Sequence, residues 1–351
     1  MDADPSPAAR VLNLDAKDRL GRSMHDLRIS VMDRCNFRCP YCMPRETYHE
    51  RYRFLKTTER LGFEEIVRIA RACTGLGVRK LRLTGGEPLL RQGLPDLVGE
   101  LSALRGADDI ALTTNGILLA QHAAELKANG LQRVTVSLDS LDPSVFERMS
   151  GGFGGLEQVI EGIEAAIEAG LTPVKINTVV QRGVNEDSVL PLLERFRGTG
   201  VIVRLIEYMD VGNRNHWQPD QVVHSARLLE QIRQQWPVTA LPGRYRGEVA
   251  ERYRYDDGAG ELGFISSVSA PFCGDCSRAR LSSEGRFYTC LFATQGLDLR
   301  ALLRGGASDE ELSAQIRAGW SARADRYSEL REQLRRKEQP LHKIEMNYIG
   351  G

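Results

Sequence analysis

The sequence lacks an excess of charge of either sign, and it lacks a long apolar run. Lys and Arg together number 47, as do Asp and Glu, so the formal net charge of the 351-residue chain is zero. This balance argues against a general nucleic-acid-binding or membrane-surface protein. No apolar stretch approaches the roughly 18 residues of a membrane span. The start, MDADPSPAAR, also lacks the basic and apolar regions of a signal peptide. We therefore expect a cytoplasmic protein with no nucleic-acid and no membrane partner.

Histidine and cysteine are also scarce, and their arrangement limits the metal sites that the chain can build. The six histidines form no HxxH or HxH pattern, so we assign them no ligand role. Six of the seven cysteines fall into two sets of three, which are Cys35, Cys39 and Cys42, and Cys273, Cys276 and Cys290. In a reducing cytosol such sets indicate metal binding rather than disulfides. The seventh, Cys73, lies on the apolar face of a predicted helix, and we interpret it as a core residue.

Each cysteine set is one ligand short of closing a metal site. A structural zinc site uses four protein ligands, and a [4Fe–4S] cluster also takes one ligand per iron. Three thiolates on such a cluster leave one iron open to a small molecule. Two open irons in one chain suggest that two small molecules meet. The alternative, a zinc-ribbon interaction module without enzymatic activity, needs a fourth ligand for each set, and no suitably spaced Cys or His lies near either.

Short β-rich runs alternate with helical patterns through the first two thirds of the chain. The predicted strands are Leu27–Val31, Lys80–Thr84, Ile110–Thr113, Arg133–Leu138, Val174–Val180 and Val201–Glu207. Helical patterns such as GFEEIVRIARACTGLG and LEQVIEGIEAAIEAG lie between them. This alternation predicts an α/β fold with a parallel sheet or a β/α barrel. The unusual polar motifs TGGEP, TTNG, SLDS and EYMD all follow strand ends. Barrels build active sites there, whereas a doubly wound sheet concentrates them at one switch point.

The alternation of strands and helices stops near residue 212, and we predict that the chain has three parts. We expect a mobile N-terminal arm at 1–22 and an incomplete (β/α)6 TIM-type barrel at 23–212. The third part, 213–351, is expected to be a C-terminal iron–sulfur domain that ends in a Gly-Gly tail.

Two motif groups carry a resemblance to a known family. CNFRCPYC together with TGGEP resembles the radical S-adenosylmethionine (SAM) superfamily. CGDCSRARLSSEGRFYTCLF and the terminal Gly-Gly are more specific and resemble the GTP 3′,8-cyclase family of molybdenum-cofactor biosynthesis. The resemblance extends from about Asp26 to Gly351.

The resemblance implies two [4Fe–4S] clusters, one on each cysteine set, with SAM at the first and GTP at the second. Its SAM contacts would be Tyr41, Gly86, Ser137 and Met209. Its GTP contacts would be Arg28, Arg82, Thr113, Lys175, Arg278, Ala279 and Arg280, with Lys80 and Arg204 as further cations of less certain alignment. Arg28, Arg278 and Arg280 are the expected catalytic residues. Arginine forks suit phosphate oxygens, and a lysine acts as a point charge. Thr114 adjoins Thr113 and leaves one residue of ambiguity in that assignment.

The resemblance also implies a reaction and its partners. A 5′-deoxyadenosyl radical from SAM would remove the ribose 3′ hydrogen of GTP, and the C3′ radical would close a ring on guanine C8. The product, 3′,8-cyclo-7,8-dihydro-GTP, would pass to a cyclic pyranopterin monophosphate synthase, an electron donor would supply reducing power, and a homodimer is compatible with the sequence. The alternative is a radical SAM peptide-modifying enzyme with an auxiliary cluster. Such an enzyme needs a peptide groove rather than five cations around one site.

Overall fold

The fold is an α/β structure built on one twelve-stranded sheet. The computed structural model describes residues 15–335 and 342–350. The strands are β1 (Asp26–Ser30), β2 (Lys80–Thr84), β3 (Asp109–Thr114), β4 (Arg133–Ser137), β5 (Lys175–Val180), β6 (Ile202–Glu207), β7 (Val238–Leu241), β8 (Glu251–Tyr255), β9 (Glu261–Ile265), β10 (Arg278–Leu281), β11 (Arg286–Tyr288) and β12 (Leu297–Asp298). The helices are α1 (Phe63–Gly75), α2 (Leu94–Ser102), α3 (Leu119–Ala128), α4 (Pro143–Ser150), α5 (Leu156–Glu168), α6 (Val189–Phe196), α7 (Ser225–Gln235), α8 (Leu299–Arg304), α9 (Asp309–Ser321), α10 (Tyr327–Arg335) and α11 (Met346–Ile349).

The first six strands pair in chain order, and all neighbours in this run are parallel. Each pair is connected through at least one helix, as parallel strands require. The predicted barrel with six β/α units is therefore confirmed. It is flanked on both sides by strands from the last third of the chain. β10 pairs in parallel with β1, and β9 pairs in parallel with β6. The predicted boundary at residue 212 thus divides one continuous sheet.

Helix α1 illustrates how local sequence positions the layer outside the barrel. The Gly62 N–H donates to the Glu65 carboxylate at 2.7 Å, which satisfies one of the free donors at the helix start. Ile66, Ile69 and Cys73 lie three and four residues apart and are almost fully buried. Cys73 is therefore the core residue that its pattern predicts. None of the described helices is both long and apolar enough to cross a bilayer.

The segment that precedes β1 is packed against the body of the protein. Ala16 is 3% exposed, and its N–H donates to the Leu76 carbonyl at 3.1 Å. Lys17 and Ser23 form an isolated antiparallel bridge, and the side chain of Arg22 is buried. The prediction of a mobile arm is wrong for residues 15–22, because buried ion pairs hold this polar segment. Residues 1–14 lie outside the described part of the chain.

Candidate active site

The first cysteine set lies in the loop that follows β1. The backbone N–H groups of Cys42 and Met43 both donate to the Cys39 carbonyl, at 3.0 and 2.8 Å, and this turn places Cys42 beside Cys39, while all three cysteines line one cavity. Burial raises the pKa of the Cys39 thiol, and the neighbouring Cys35 and Cys42 raise it further. Three thiolates that face one cavity repel each other unless a positive group lies among them. This donor set fits a positively charged metal centre.

The TGGEP loop after β2 is held directly against the cysteine loop. The Glu87 N–H donates to the Arg34 carbonyl at 2.7 Å. A side chain at Gly86 would collide with that same carbonyl, so only glycine permits the approach. The buried Glu87 carboxylate accepts from the Thr114 hydroxyl at 2.7 Å and from the Asn115 N–H at 2.8 Å. Burial raises the pKa of Glu87 to about 7.

The four predicted SAM positions, Tyr41, Gly86, Ser137 and Met209, all line one cavity with the first cysteine set. The Tyr41 hydroxyl donates to Asp139 at 2.8 Å, and the other oxygen of that carboxylate accepts from the Val179 N–H at 2.8 Å. This chain of hydrogen bonds fixes the orientation of the Tyr41 ring between two cysteines. Burial raises the pKa of Asp139 to about 6.

The second cysteine set lies on two turns next to β10. Cys273 and Cys276 precede this strand, and Cys290 follows β11. The Arg278 guanidinium donates to the Cys276 sulfur at 3.3 Å. Burial would raise the pKa of Cys276, but the charges of Arg278 and Arg323 outweigh it and lower the pKa to about 6. The site therefore favours a thiolate at Cys276, which is the form that binds metal.

Both cysteine sets line the same cavity, whose volume is about 260 Å³. Arg28, Arg278 and Arg280 line it too, so the structure places the three predicted catalytic residues in the space that the two sets share.

Three arginines lie side by side on neighbouring strands, and two of them, Arg28 and Arg280, line this cavity. The strand register pairs Arg28 with Arg280 on one side and with Arg82 on the other. Burial lowers the pKa of Arg28, and the positive charges of Arg280, Arg82 and Arg278 lower it further. Burial and the nearby Arg278 likewise lower the pKa of Arg280 to about 9. Buried cations that repel each other in this way indicate a site for an anionic ligand.

A second, smaller cavity continues the first toward the amino-terminal ends of the strands. Arg28, Arg278 and Asn177 line both cavities. The predicted contacts Arg82 and Lys175 lie here, and so do the further cations Lys80 and Arg204. Burial and then Arg204 lower the pKa of Lys175 to about 6. Asp26, Glu248 and Glu261 also line this cavity, where they are outnumbered by the Lys and Arg side chains.

Thr113 and Thr114 differ in what their hydroxyl groups do. The Thr114 hydroxyl is committed to Glu87. The buried Thr113 hydroxyl lines the large cavity and has no hydrogen-bond partner among the described residues. This favours Thr113 as the ligand contact, because buried polar atoms normally have partners.

Ala279 is the one predicted contact whose side chain does not reach the cavities. It alternates on β10 with Arg278 and Arg280, so its methyl group faces the opposite side of the sheet and is fully buried in the core. Only its backbone remains available to a ligand.

The carboxyl-terminal segment reaches into the site from above. The Asn347 side chain is hydrogen-bonded to the Tyr48 hydroxyl at 3.0 Å. The Arg280 guanidinium donates to the Gly350 carbonyl, and Gly350 has a φ of +74°. Gly351, the second residue of the predicted Gly-Gly tail, lies outside the described residues.

Sequence reasoning missed several residues that support the site. Asp139, which fixes Tyr41, was read only as part of the SLDS motif. Asp18, Arg22 and Arg323 are buried together behind the second cysteine set. A polar residue two positions after a strand end was a usable signal for Asp139. No local pattern marks the burial of the other three, because Asp18 and Arg22 are buried only through Arg323, which lies about 300 positions later.

Within the described part of the chain, no three His, Cys, Asp or Glu side chains are grouped as ligands of a single metal ion. This bears on single ions rather than on clusters, because each cysteine of a [4Fe–4S] cluster binds a different iron and the sulfurs therefore lie further apart.

Comparisons with known proteins agree with these features. Residues 29–196 match the model of the radical SAM superfamily, and residues 201–329 match the model named Molybdenum Cofactor Synthesis C. The chain is 54% identical over 335 residues to the GTP 3′,8-cyclase of Xanthomonas axonopodis pv. citri (strain 306), covering 95% of this chain and 98% of that protein. It is 50% identical over 357 residues to the GTP 3′,8-cyclase of Acidothermus cellulolyticus, covering 95% and 99%. The structure of Streptococcus suis SuiB bound to precursor peptide SuiA is 15% identical with a TM-score of 0.60, covering 93% of this chain and 76% of that one. That likeness shows the fold alone.

Proposed function

Because the chain belongs to the GTP 3′,8-cyclase family within the radical SAM superfamily, we infer that it is a lyase that converts GTP to 3′,8-cyclo-7,8-dihydro-GTP, the first step of molybdopterin biosynthesis. The family uses SAM and a [4Fe–4S] cluster. We further propose that this chain holds two such clusters, one on Cys35, Cys39 and Cys42 and one on Cys273, Cys276 and Cys290.

The observation that carries the proposal is the single cavity lined by both cysteine sets, with Arg28, Arg278 and Arg280 among its lining residues. A radical reaction between two ligands requires them to lie in one enclosed space, because the reacting atoms must meet at about 3–3.5 Å. The cavity supplies such a space. The smaller cavity below it offers room for an extended anionic group.

We propose that GTP lies across the two cavities with its guanine at the second cysteine set and its triphosphate in the lower cavity. Arg82 and Lys175 would bind the phosphates, with Lys80 and Arg204 beside them. Arg28 and Arg278 line both cavities, so they would hold the middle of the molecule. The unpartnered hydroxyl of Thr113 would donate to the nucleoside. Arginine forks and lysine point charges both suit phosphate oxygens.

On the other side of the cavity, Tyr41, Gly86, Ser137 and Met209 would hold SAM. Gly86 would act through its backbone, which the TGGEP loop holds beside Cys35. The Asp139 carboxylate would keep the Tyr41 ring in place. When bound, the first cluster supplies the electron that cleaves SAM reductively and so provides the radical that begins the cyclisation. The described residues orient the two ligands and exclude water from the space between them.

Arg280 has a further role as the connection to the carboxyl-terminal tail. Its guanidinium donates to the Gly350 carbonyl and lines the shared cavity. We propose that the docked tail fixes the Arg280 side chain for substrate binding. We also propose a cytoplasmic location, an external electron donor, a cyclic pyranopterin monophosphate synthase as the next enzyme, and a homodimer as an oligomeric state compatible with the chain.

Anaerobic purification and metal analysis test the proposal. We expect a brown protein with roughly eight irons per chain, as two [4Fe–4S] clusters require. Incubation with SAM, a reductant and GTP should then give 5′-deoxyadenosine and a cyclised GTP of unchanged mass. A colourless zinc protein would contradict the cluster assignment. An iron protein that cleaves SAM but leaves GTP unchanged while modifying a peptide would contradict the substrate.

A further inference from the structure

A buried ionic triad of Asp18, Arg22 and Arg323 lies behind the second cysteine set. The Arg22 Nε donates to Asp18 Oδ2 at 2.6 Å, and the Arg323 Nη1 lies 3.3 Å from the same oxygen. All three side chains are at most 2% exposed. The other oxygen of Asp18 accepts from the backbone N–H groups of Leu20 and Arg22, each at 2.9 Å. The carboxylate is therefore fully engaged and holds both guanidinium groups in fixed positions.

The Nη1 group of each arginine of the triad also donates to the backbone carbonyl of a cysteine. The Arg22 Nη1 donates to the Cys273 carbonyl at 2.6 Å and to the Asp325 carbonyl at 2.9 Å. The Arg323 Nη1 donates to the Cys276 carbonyl at 2.7 Å. These two carbonyls belong to the short turn that carries two of the three sulfurs. Hydrogen bonds from charged donors are stronger than those between neutral groups, so they favour one conformation of this short turn.

The same group of residues also reaches the third cysteine. The Thr289 hydroxyl, one residue before Cys290, donates to the Asp325 carboxylate at 2.6 Å. That carboxylate lies 3.7 Å from the Nε of Arg323. The triad is thus connected, directly or through Asp325, to the backbone beside all three cysteines of the set.

The surroundings keep the triad rigid. The Trp320 indole N–H donates to the Arg22 carbonyl at 3.0 Å, and the Arg323 guanidinium lies 4.5 Å from the centre of the Trp320 ring. Burying these charges costs free energy that a surface ion pair does not cost. A role limited to attaching the N-terminal segment to the rest of the protein therefore explains the triad poorly. A role in positioning the ligands of a metal site explains the buried charges, because residues that hydrogen-bond to the ligands orient them and tune the metal.

We propose that Asp18, Arg22 and Arg323 are positioning residues for the second cluster: they fix the Cys273–Cys276 turn and place a positive charge beside the group that the sulfurs hold. This inference rests on the proposed function, since it assumes that the second set binds a cluster. Loss of a supporting partner of this kind typically weakens metal retention by 10–100-fold. Loss of a nearby positive charge also shifts the reduction potential to more negative values, because the oxidised form is less negative than the reduced form.

Two substitutions at one position separate the charge from the geometry. Arg323→Met removes both the charge and the hydrogen bonds, while Arg323→Lys keeps the charge. Arg68→Met is the matched control, because Arg68 forms an ion pair with Asp309 at 2.8 Å on the surface of the same protein. The full-length proteins are prepared anaerobically, and iron content, the electron paramagnetic resonance signals of both clusters and their potentials are measured.

In Arg323→Met we expect the second-cluster signal to be lost, or its potential to shift to more negative values, while the first-cluster signal and SAM cleavage remain at the parental level. Arg323→Lys should recover part of the potential shift, and Arg68→Met should change neither cluster. An unchanged second cluster in Arg323→Met, or equal changes at both clusters, would overturn the inference.

Hydrogen exchange on the metal-free full-length chain provides an independent measurement. Arg323→Met and Asp18→Asn should accelerate amide exchange across residues 272–277 relative to Arg68→Met, with exchange in the first cysteine loop unchanged. Equal exchange in all the proteins would count against the triad. If the parent protein holds no cluster at the second set, the proposed function fails, and this exchange comparison still decides whether the triad orders the turn.

Discussion

Substitution of Gly350 by alanine tests the connection between the tail and the active site. Gly350 has a φ of +74°, where a non-glycine residue costs about 1–3 kcal/mol. The new methyl group would also collide with the Thr84 Cγ2 atom on β2. The tail must then move, and its hydrogen bond from Arg280 is lost, at about 1.5–3 kcal/mol. Because a tail that moves no longer carries the backbone strain, the loss is the hydrogen bond alone, about 1.5–3 kcal/mol. Since a tenfold change in rate corresponds to about 1.36 kcal/mol, the lower end predicts a fall of roughly 13-fold in kcat/KM.

Anaerobic GTP cyclisation measures this effect, and iron content and SAM binding should stay at the parental level because no cluster or SAM residue is changed. Gly306→Ala is the matched control. Gly306 has a similar φ of +86°, but no atom lies within 4 Å of the position of its added methyl group. A second substitution, Thr84→Ser, removes the colliding atom and leaves its Cβ and hydroxyl at 3.5 Å. The double variant should therefore recover part of the activity lost by Gly350→Ala. Parental kcat/KM in Gly350→Ala would refute the role of the tail.

Three further predictions concern the two clusters, the threonine pair and the lower cavity. Cys39→Ser should abolish SAM cleavage and leave the second cluster intact. Cys276→Ser should weaken GTP binding and leave SAM binding unchanged. Normal cyclisation by Cys276→Ser would contradict the assignment of the second site. Thr113→Val should raise the KM for GTP several-fold with little change in the melting temperature, whereas Thr114→Val should lower the melting temperature, because it leaves Glu87 short of a donor. Lys175 has a pKa lowered to about 6, so it is mostly neutral at pH 7.5. A bound triphosphate raises that pKa, so calorimetry in buffers of different ionisation enthalpy should detect proton uptake, and affinity should fall as pH rises from about 6. Uptake that persists in Lys175→Met would count against this assignment.

Much of the barrel was predictable from sequence because its signal is local. The first strand was predicted at Leu27–Val31 and lies at Asp26–Ser30, since a short apolar run between a polar segment and a cysteine loop contains the necessary pattern. The pairing of β10 with β1 was not predictable in this way. Arg278–Leu281 is only four residues long, and its partner lies about 250 positions earlier. Periodicity identifies a strand but carries no information about a distant neighbour.

In the candidate active site, too, local features were predictable from the sequence and long-range contacts were not. Cysteine spacing identified the two cysteine sets, because the members of each set are close together in the chain, whereas the SAM and GTP contacts around them were implied by the family resemblance. Asp18 and Arg22 looked like part of a solvated arm, since their composition is polar and their burial depends on Arg323. The charge of a residue can be read from the sequence, but whether it is buried depends on a distant partner that only the folded structure places beside it. The resemblance implies Ala279 as a GTP contact between Arg278 and Arg280, and the alternation of the strand separates its side chain from theirs.

The two flanking strands also constrain how the protein is made. β1 lies between β2 and β10, and β6 lies between β5 and β9, so the barrel strands at both ends depend on residues 261–281 for a neighbour. During synthesis the ribosome releases the first cysteine loop and all six barrel strands before either flanking strand has emerged. Until then both outer strands present unpaired backbone groups, which are sites of wrong association between chains. The nascent chain therefore passes through a period in which its first metal-binding loop is complete while its barrel is still open on both sides.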